Sequence, residues 1–523
     1  MDIIKNEPYQ NISISRIVYD AVLFDLDGVI TQTATIHAKV WKKMFDRFLK
    51  EKQEKNFQPF DEQSDYNKYV DGKPRYDGVQ SFLQSRGISL PWGKPEDAPG
   101  KETIYSLGNA KNNMFHDYLK THKVKVFHSS VELIHKLKKA GFKTAIISSS
   151  KNCQAVLKSA GIAGLFDAKV DGVDSAQLNL KGKPHPDIFL KAAKKCNVEP
   201  KRAVVIEDAQ AGVEAGKKGN FGCVIGVDRK GQPEDLRQKG ADCLVNDLSR
   251  ISISEEKKKK QSPIHTLSSA LDKEKEIRKQ LTGKKAAVLL DYDGTLTPIV
   301  SRPDLAILSD KMKKTVKGLA EKYFVAVVSG RDLKDVKKLV GLSNILYSGS
   351  HGFDIMSPKG KRMGFQKGKE FLSQLKEAEH MLKYMIDPIK GALVEKKKFS
   401  IAVHFRQVDE QDIPSVEKAV NQIISQYPRL RKSYGKKVFE IQPDLDWNKG
   451  KALLWILSSM RLDIPCVLPF YIGDDLTDED AFQSLRGRGL GIVVGNGDRL
   501  TAADYRLNDS DAVRNFLERL KKE

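Results

Sequence analysis

The sequence predicts an α/β protein that contains two doubly wound domains. Two apolar runs, AVLFDLDGVI at 21–30 and AAVLLDYDGTL at 286–296, each lead into Asp-x-Asp-Gly. Each run is short, apolar and closed by a glycine turn, as is typical of a central parallel strand with helices on both faces. Because a chain of 523 residues is too long for one hydrophobic core, we expect one such domain in each half.

Four further apolar runs alternate with helical stretches along the chain. They are KTAIISSS at 143–150, AVVIED at 203–208, FVAVVSG at 324–330 and VLPFYIGDD at 467–475. Strands that alternate with helices predict a parallel sheet. Every run carries a Ser or an Asp near its end, and the carboxyl ends of parallel strands lie along one edge of the sheet. We therefore expect these polar groups to form one site in each domain.

A charged stretch at 252–284 separates the two halves. It contains the lysine run 257–260 and few large apolar side chains in its first part, which is typical of a linker. Its second part, 268–280, has helix-forming composition and predicts a short helix. The expected domains are thus 1–251 and 285–523.

The net charge is +21, from 89 basic and 68 acidic residues. Such an excess suits nucleic acid, an anionic membrane surface or an anionic substrate. The basic residues are not interleaved with aromatic ones, and many lie in stretches typical of a solvated helix face. We therefore expect small-molecule anions rather than nucleic acid as partners.

The sequence also predicts a cytoplasmic protein without a membrane partner. No apolar run approaches the roughly 18–20 residues that span a bilayer, and the first ten residues have no signal-peptide pattern. Five cysteines without a Cys-x-x-Cys pair suggest neither a zinc site nor a disulfide framework. The oligomeric state is not predicted.

The strand ends of the second half carry groups suited to phosphate chemistry. Asp291 and Asp293 are close enough to repel each other unless a cation neutralises them, and hard carboxylate oxygens suit Mg²⁺. Asp474 is the natural third metal ligand. Ser329 offers a hydroxyl to a phosphoryl oxygen, and Lys449 offers a fixed positive charge.

A lone Asp-x-Asp-Gly segment is equally an ordinary strand-to-turn junction, since Asp and Gly both favour turns. The series Asp, Ser, Lys, Asp, however, occurs in both halves. It resembles the haloacid dehalogenase superfamily of phosphotransferases. The matching residues are Asp25, Ser148, Lys183 and Asp208 in the first half, and Asp291, Ser329, Lys449 and Asp474 in the second. The Lys and the last Asp are 25 positions apart in both halves.

The insertions differ between the halves. The first Asp and the Ser are 123 positions apart in the first half and 38 in the second, whereas the Ser and the Lys are 35 and 120 positions apart. The superfamily resemblance implies that such insertions are caps that select the substrate. We expect a helical cap at about 35–122 and an α/β cap at about 358–435.

The second half, about 286–520, resembles trehalose-6-phosphate phosphatases. The resemblance is carried by DYDGTLTPIV at 291–300, SGRDLKDV at 329–336, GSHGFDI at 349–355, VEKKKFSIAVHFR at 394–406, VFEIQP at 438–443, WNKGKAL at 447–453 and FYIGDDLTDEDAF at 470–482. It implies that Asp291 attacks phosphorus to give an aspartyl-phosphate and that Asp293 is the acid and base.

The same resemblance implies the remaining ligands of this site. The implied ligands of Mg²⁺ are Asp291, the backbone carbonyl of Asp293 and Asp474, with Asp475 or Asp478 in support. The implied ligands of the phosphoryl oxygens are Ser329, Arg331 and Lys449. The implied sugar ligands are Glu395, Lys397, Glu440, His351, Gly352, Arg406 and Lys436. By composition alone, Glu395 to Lys398 is equally a solvated charged hairpin. A phosphatase for another sugar phosphate remains the alternative.

The first half resembles the β-phosphoglucomutase branch of the superfamily. The segments are AVLFDLDGVITQTATIHAKVW at 21–41, SSSKN at 148–152, KGKPHPDIFL at 181–190 and VVIEDAQAGVEAGKKGNFGCVIGV at 204–227. The resemblance implies that Asp25 is the nucleophile and Asp27 the acid and base. It implies that phosphate is bound by Ser148, Lys183 and Asn152, and a second phosphate by Arg75. The implied metal ligands are Asp25, Asp27, Glu207 and Asp208. A mutase, a sugar-phosphate phosphatase and a non-catalytic regulatory domain all remain open.

Overall fold

The computed structural model describes residues 9–53, 57–254, 261–300, 302–363, 370–435 and 437–522. The chain divides into two compact units. The first comprises Met1–Glu256, Thr282–Lys284 and Ile464–Cys466, and the second comprises Lys257–Leu281, Lys285–Asp463 and Val467–Glu523. The lysine run of the predicted linker lies outside the described residues.

The first unit is built on a parallel sheet of six strands in the order β4-β3-β2-β5-β6-β7. Its strands are β1 (Ile12–Ile14), β2 (Ala21–Asp25), β3 (Lys143–Ile147), β4 (Ala168–Val170), β5 (Ala203–Glu207), β6 (Cys223–Val227), β7 (Cys243–Val245) and β8 (Ile251–Ile253). Its helices are α1 (Ala34–Gln53), α2 (Arg75–Ser85), α3 (Ile104–Thr121), α4 (His128–Lys139), α5 (Cys153–Ser159), α6 (Gly172–Gln177), α7 (Asp187–Lys195), α8 (Gln210–Lys218) and α9 (Pro233–Gln238). Strands β1 and β8 pair separately.

The central strand β2 is buried along its whole length. Successive side chains point to opposite faces, so Phe24 belongs to one hydrophobic core and Leu23 to another. Helices α1 to α3 form the predicted helical cap, with its own core around Trp41, Phe45 and Phe82. The Thr103 side chain accepts a hydrogen bond from the backbone of Ser106 and caps α3.

The second unit contains an eight-stranded sheet and a smaller four-stranded sheet. Its strands are β9 (Ser262–Pro263), β10 (Lys285–Leu290), β11 (Phe324–Val328), β12 (Leu346–Gly349), β13 (Asp354–Met356), β14 (Arg362–Met363), β15 (Leu393–Lys396), β16 (Ile401–His404), β17 (Leu430–Gly435), β18 (Val438–Pro443), β19 (Val467–Gly473), β20 (Leu490–Val494), β21 (Leu500–Thr501) and β22 (Tyr505–Leu507). Its helices are α10 (Glu274–Leu281), α11 (Asp310–Ala320), α12 (Leu333–Val340), α13 (Leu372–Ile386), α14 (Ile413–Gln426), α15 (Lys449–Ser459), α16 (Glu479–Leu485) and α17 (Ser510–Lys521).

The large sheet has the order β14-β13-β12-β11-β10-β19-β20-β22. It is parallel except at the β12-β13-β14 edge, which is antiparallel. The predicted linker is partly ordered, because β9 pairs with β21 and the predicted helix forms as α10. This helix begins at Glu274, six positions after the predicted start.

The cap of the second unit is the antiparallel sheet β15-β16-β18-β17 with α13 and α14 packed against it. Strand β14 belongs to the large sheet, whereas β18 belongs to the cap. The predicted bounds of 358–435 therefore include part of the large sheet and omit the last cap strand. The omission matters, because β18 carries Glu440.

Cysteine pairing differs from the expectation. Cys243 and Cys466, both in the first unit, form a disulfide across a separation of 223 positions, which local spacing does not reveal. Cys153, Cys196 and Cys223 are buried and free. Across the described ranges, every helix is too short or too polar to pass through a lipid bilayer.

Candidate active sites

The two large sheets assemble the same polar groups in the same order. In the first unit, β2 lies between β3 and β5, and in the second, β10 lies between β11 and β19. The central strand leads into the first Asp of each series, one neighbour into the Ser and the other into the last Asp. Since all these strands run parallel, the groups meet at one sheet edge, as the sequence predicts.

In the second unit, three carboxylates converge beside a buried lysine. Oxygens of Asp291, Asp474 and Asp478 lie within 4.8 Å of one another. The Lys449 ammonium donates to Asp478 Oδ1 at 2.7 Å and lies 3.2 Å from Asp291 Oδ1. Three carboxylates against one ammonium leave negative charge at the site. Hard oxygen donors with this charge fit a divalent cation such as Mg²⁺.

Burial raises the pKa of Asp291 well above its ordinary value. The Lys449 ammonium opposes this shift in the pKa, whereas the Asp478 and Asp474 carboxylates add to it. A cation held among the three carboxylates offsets their repulsion and favours an ionised Asp291.

Gly294 permits the approach of Asp474. Its φ of +76° lies in the left-handed region, and a Cβ at this position would collide with the Asp474 carboxylate. The first unit repeats this arrangement, since a Cβ on Gly28, at φ +83°, would collide with Asp208. The glycine of Asp-x-Asp-Gly thus makes room for Asp474 in the second unit and for Asp208 in the first.

The Asp293 side chain turns away from this cluster. Both of its oxygens accept hydrogen bonds from Arg331, from Nε at 2.7 Å and from Nη2 at 2.6 Å. Ser329 is buried and its hydroxyl accepts from the Arg331 backbone at 3.1 Å. Arg331 and Ser329, both predicted to bind phosphate, therefore lie together, and Arg331 also binds the predicted acid and base.

The first unit holds an equivalent cluster of Asp25, Glu207 and Asp208. Lys183 is buried between Asp25, at 2.5 Å, and Glu207, to which it also donates. Burial raises the pKa of Asp25 well above its ordinary value, as does the Glu207 charge, while Lys183 lowers it. Ser148 accepts a backbone hydrogen bond from Ser150 at 3.1 Å, as Ser329 does from Arg331.

The two clusters obtain their third carboxylate from different positions. In the first unit it is Glu207, one position before Asp208; in the second it is Asp478, four positions after Asp474. A Cβ on Gly473 would collide with Asp478, and a Cβ on Gly212 would collide with Glu207. The carboxylate and the glycine therefore occupy exchanged positions in the two units: Glu207 and Gly212 in the first correspond to Gly473 and Asp478 in the second. Asp478, predicted only as a supporting group, is a member of the cluster.

A buried His–Lys pair beside Asp27 was not predicted. Asp27 accepts from the Thr33 hydroxyl, and its Oδ1 lies 3.5 Å from His37 Nε2. The other ring nitrogen of His37 lies 2.7 Å from Lys111 Nζ. Burial favours a raised pKa for Asp27, but its contacts with His37 and Thr33 lower it overall. The only sequence signal was the position of His37 ten residues after Asp27.

Lys111 lies in an unusual environment for a lysine. Burial lowers its pKa to about 7, the Arg75 charge acts in the same direction, and Asp27 opposes them. Burial also lowers the pKa of His37, and Lys111 adds to this shift. Because the two groups compete for one proton, the pair can change its charge near neutral pH.

A cavity of about 850 Å³ opens onto Asp25 and Asp27 in the first unit. Arg75 Nη2 and Asn152 Nδ2 both donate to the Asn112 side chain, at 2.7 and 2.8 Å. Arg75 also lines this cavity, and the shared Asn112 side chain brings the two predicted phosphate ligands close together.

Polar groups of the cap meet core residues in the second unit. Glu440 is buried and accepts from Lys397 Nζ at 2.6 Å, and its other oxygen lies 3.0 Å from His351 Nε2. Burial favours a raised pKa for Glu440, but Lys397 and His351 hold it well below its ordinary value. Three predicted sugar ligands therefore form one network.

The other predicted sugar ligands have separate environments. Glu395 lies 2.8 Å from His404 Nε2, a contact that lowers its pKa. Arg406 donates to the Val300 carbonyl at 3.1 Å. Gly352 is buried beside His351, and Lys436 lies outside the described residues.

Family models of known proteins match the two units separately. A family model described as trehalose-phosphatase matches residues 289–511, and one described as haloacid dehalogenase-like hydrolase matches 19–220. A trehalose-phosphate phosphatase of Mycobacterium leprae is 35% identical over 413 residues, which cover 76% of this chain and 92% of the relative. The chain belongs to the trehalose-phosphatase family. Both of its units are haloacid dehalogenase-like α/β domains, which confirms the predicted fold class.

Two further similarities were found for this trehalose-phosphatase family member. A Mycobacterium tuberculosis protein described as an uncharacterized glycosyl hydrolase is 38% identical over 517 residues, or 97% of this chain. The chain spans only 38% of the length of that relative. The solved structure of a β-phosphoglucomutase from Clostridium difficile is 27% identical and covers 44% of this chain and 92% of its own, with a TM-score of 0.36.

Replacing Gly294 with Ala should remove the candidate cation site of the second unit. The added Cβ displaces Asp474, so calorimetric titration with Mg²⁺ should find one site per chain, whereas we expect two sites in the unaltered protein. Gly360→Ala is the matched control, because Gly360 has the same φ of +76° but no atom within 4 Å of the added Cβ. The control should retain two sites at a similar cost in backbone strain, about 1–2 kcal/mol. Two intact sites in Gly294→Ala would contradict the assignment.

Replacing Lys111 with Met should raise the pKa of His37. The substitution removes both a neighbouring positive charge and a hydrogen-bond donor, each of which favours neutral imidazole. An NMR pH titration of the histidine side chains, with the His37 signal assigned through His37→Gln, measures the shift. Lys151→Met, which removes another lysine of the same cavity, should leave the His37 titration unchanged. An unaltered His37 pKa in Lys111→Met would exclude the coupling.

Proposed function

We propose that the second unit hydrolyses trehalose 6-phosphate to trehalose and phosphate, as a step of trehalose biosynthesis. The observation that carries this proposal is the pairing of two groups on one site: the cluster of Asp291, Asp474, Asp478 and Lys449, and the cap network of Glu440, Lys397 and His351. The first group suits phosphoryl transfer. The second offers charged hydrogen-bonding groups to a neutral sugar.

In the proposed first step, a carboxylate oxygen of Asp291 attacks phosphorus and the bond from phosphorus to the sugar oxygen breaks. Asp293 gives its proton to the departing sugar oxygen, and an aspartyl-phosphate remains on Asp291. In the second step, Asp293 takes a proton from water, whose oxygen attacks phosphorus. Inorganic phosphate leaves, and the Asp291 carboxylate is restored.

Arg331 has a part in both states of this cycle. Without substrate, its guanidinium binds both oxygens of Asp293. We expect the phosphoryl group to draw Arg331 away, because its two negative oxygens offer the same bidentate geometry. Asp293, no longer paired with Arg331, can then take up a proton from water and give it to the departing sugar oxygen.

The proposed cofactor is Mg²⁺, held by Asp291, Asp474 and Asp478 with the predicted backbone carbonyl of Asp293; when bound, it neutralises the charge of the carboxylates and the phosphoryl oxygens. Lys449 bridges Asp291 and Asp478 and holds both in place. Ser329 lies beside Arg331, where its hydroxyl can donate to a phosphoryl oxygen.

The cap network would recognise the sugar by hydrogen bonds. A disaccharide has no charge beyond its phosphate, so a wrong sugar is rejected when buried polar groups are left unpaired. Glu440 and Lys397 neutralise each other until hydroxyl groups enter. Glu395, Arg406 and Lys436 are the other predicted sugar ligands of the cap, and Glu395 is paired with His404.

For the first unit, we propose phosphotransfer on a hexose phosphate, with Asp25 as the nucleophile and Asp27 as the acid and base. Arg75 lines the described cavity and shares the Asn112 side chain with Asn152 as a hydrogen-bond partner, which suits a second phosphate. This observation favours a β-phosphoglucomutase over a simple phosphatase. The alternative for the whole chain is a phosphatase of another sugar phosphate with a non-catalytic first unit.

Two matched substitutions assign the activities to the units. Asp291→Asn should abolish phosphate release from trehalose 6-phosphate, because the amide is a poor nucleophile, by at least about 10³-fold in kcat. Asp25→Asn should leave that activity unchanged and abolish turnover of β-glucose 1-phosphate. A panel of sugar phosphates tests the substrate. Full trehalose-6-phosphate hydrolysis by Asp291→Asn would refute the assignment, and faster release from another sugar phosphate would favour the alternative substrate.

The reaction of the first unit can be followed in the Asp291→Asn protein. A mutase should convert β-glucose 1-phosphate, primed with a trace of the bisphosphate, to glucose 6-phosphate without net phosphate release. Phosphorus NMR resolves the two products. Substitution Arg75→Ala should then lower turnover, since a second phosphate loses its bidentate partner. Free phosphate as the only product would identify a phosphatase instead.

A further inference from the structure

We propose that Asp332 and Asp354 form a latch with Lys398 that sets the position of the sugar-binding hairpin over the active site of the second unit. Here the cap hairpin is the segment formed by β15, the turn 397–400 and β16. The latch rests on the proposed function, because it deepens the account of how the same site selects its substrate. Asp332 and Lys398 are positioning residues, since neither contacts the predicted reacting atoms.

Asp332 occupies the N-cap position of α12, where an aspartate normally accepts hydrogen bonds from the first turn of its helix. It makes no such side-chain cap. Its carboxylate instead accepts from the Lys398 backbone N–H, at 2.9 Å to Oδ1 and 3.0 Å to Oδ2. It also accepts from the Ser350 hydroxyl at 2.9 Å. The helix thus forgoes a capping hydrogen bond, and the carboxylate contacts the cap instead.

The Lys398 side chain makes the second contact of the latch. Its ammonium donates to Asp354 Oδ2 at 2.5 Å, and Asp354 is itself buried on β13. One cap residue is therefore bound to two core carboxylates, through its backbone and through its side chain. The next residue, Phe399, is buried against Phe353 of the core, with ring centres 5.8 Å apart.

Neighbouring lysines in the hairpin have different partners. Lys397 donates to Glu440 in the proposed sugar site, Lys398 to Asp354 of the core, and Lys396 to Glu379 on the cap. Because Lys397 is adjacent to Lys398, the latch also fixes the position of Lys397 relative to the active site. Asp332 follows Arg331 directly, so one short segment contacts both the phosphate end and the cap.

A latch of this kind should affect large substrates more than small ones. Trehalose 6-phosphate must contact the hairpin, whereas the phosphate of p-nitrophenyl phosphate needs only the core. Loosening the latch should therefore raise KM for the sugar phosphate and change hydrolysis of the aryl phosphate little. A residue that merely stabilised the fold would affect both substrates alike.

The test uses Asp332→Ala and Lys398→Met in the full chain. Every protein also carries Asp25→Asn, so that phosphate released from either substrate comes from the second unit. Lys396→Ala is the matched control, because it removes the same charge from the same hairpin but leaves the latch intact. We expect both latch variants to raise KM for trehalose 6-phosphate roughly tenfold, with kcat/KM for p-nitrophenyl phosphate within about twofold and the control unchanged.

Hydrogen exchange provides a measure that does not depend on the substrate. The Lys398 amide donates to Asp332, so a peptide covering 396–400 should exchange faster in Asp332→Ala than in the unaltered protein or the control. If exchange rises in this way but no variant hydrolyses trehalose 6-phosphate, the latch stands and the proposed substrate fails. Equal losses on both substrates, or unchanged exchange and KM, would overturn the latch. Should Asp332→Ala fail to fold, Lys398→Met, which keeps the aliphatic stem, decides the question.

Discussion

One buried ammonium organises each active site. Lys183 and Lys449 are 4% and 3% exposed, and burying such a charge without partners costs several kcal/mol. Each buried lysine therefore requires carboxylate partners, which are Asp25 and Glu207 for Lys183 and Asp291 and Asp478 for Lys449. One partner of each pair lies at the end of the central strand, and the other lies at or shortly after the end of the neighbouring strand β5 or β19. The strand order, the glycine turn and the placement of the third carboxylate all satisfy this requirement.

The caps add further polar groups to those at the two sheet edges. Under the proposed functions, the core groups of both units would bind a phosphoryl group without distinguishing one ester from another. We propose that substrate choice comes from side chains on the caps: the Arg75 and Lys111 region of the helical cap, and the Glu440 network of the α/β cap. A pair of similar cores could then serve different sugars within one chain.

Much of this arrangement follows from sequence, because strands that end in Asp or Ser have a fixed direction and meet at a known edge. The central strand of each sheet and the convergence of its Asp and Ser residues were predictable on that basis, whereas Lys449 and the two caps were predicted from the motif series and its spacing. Contacts made by packing were not. The Lys111 and His37 pair joins residues 74 positions apart on two helices, and Glu395 meets His404 only because β15 and β16 pair in a particular register. The end of the second cap was also missed, because the predicted bound of 435 falls at the end of β17 and β18 follows it at 438.

The exchange of carboxylate and glycine between the clusters has an evolutionary consequence. Glu207 and Gly212 in one unit correspond to Gly473 and Asp478 in the other. A change between the two forms requires both positions to be substituted. If only one is substituted, the unit has either two acidic side chains in the space of one, or two glycines and no carboxylate to pair with the buried lysine. Both intermediates are disfavoured, so the two positions are expected to change together or not at all. Descent from a common ancestor can then be traced through this pair even where the surrounding sequence has diverged.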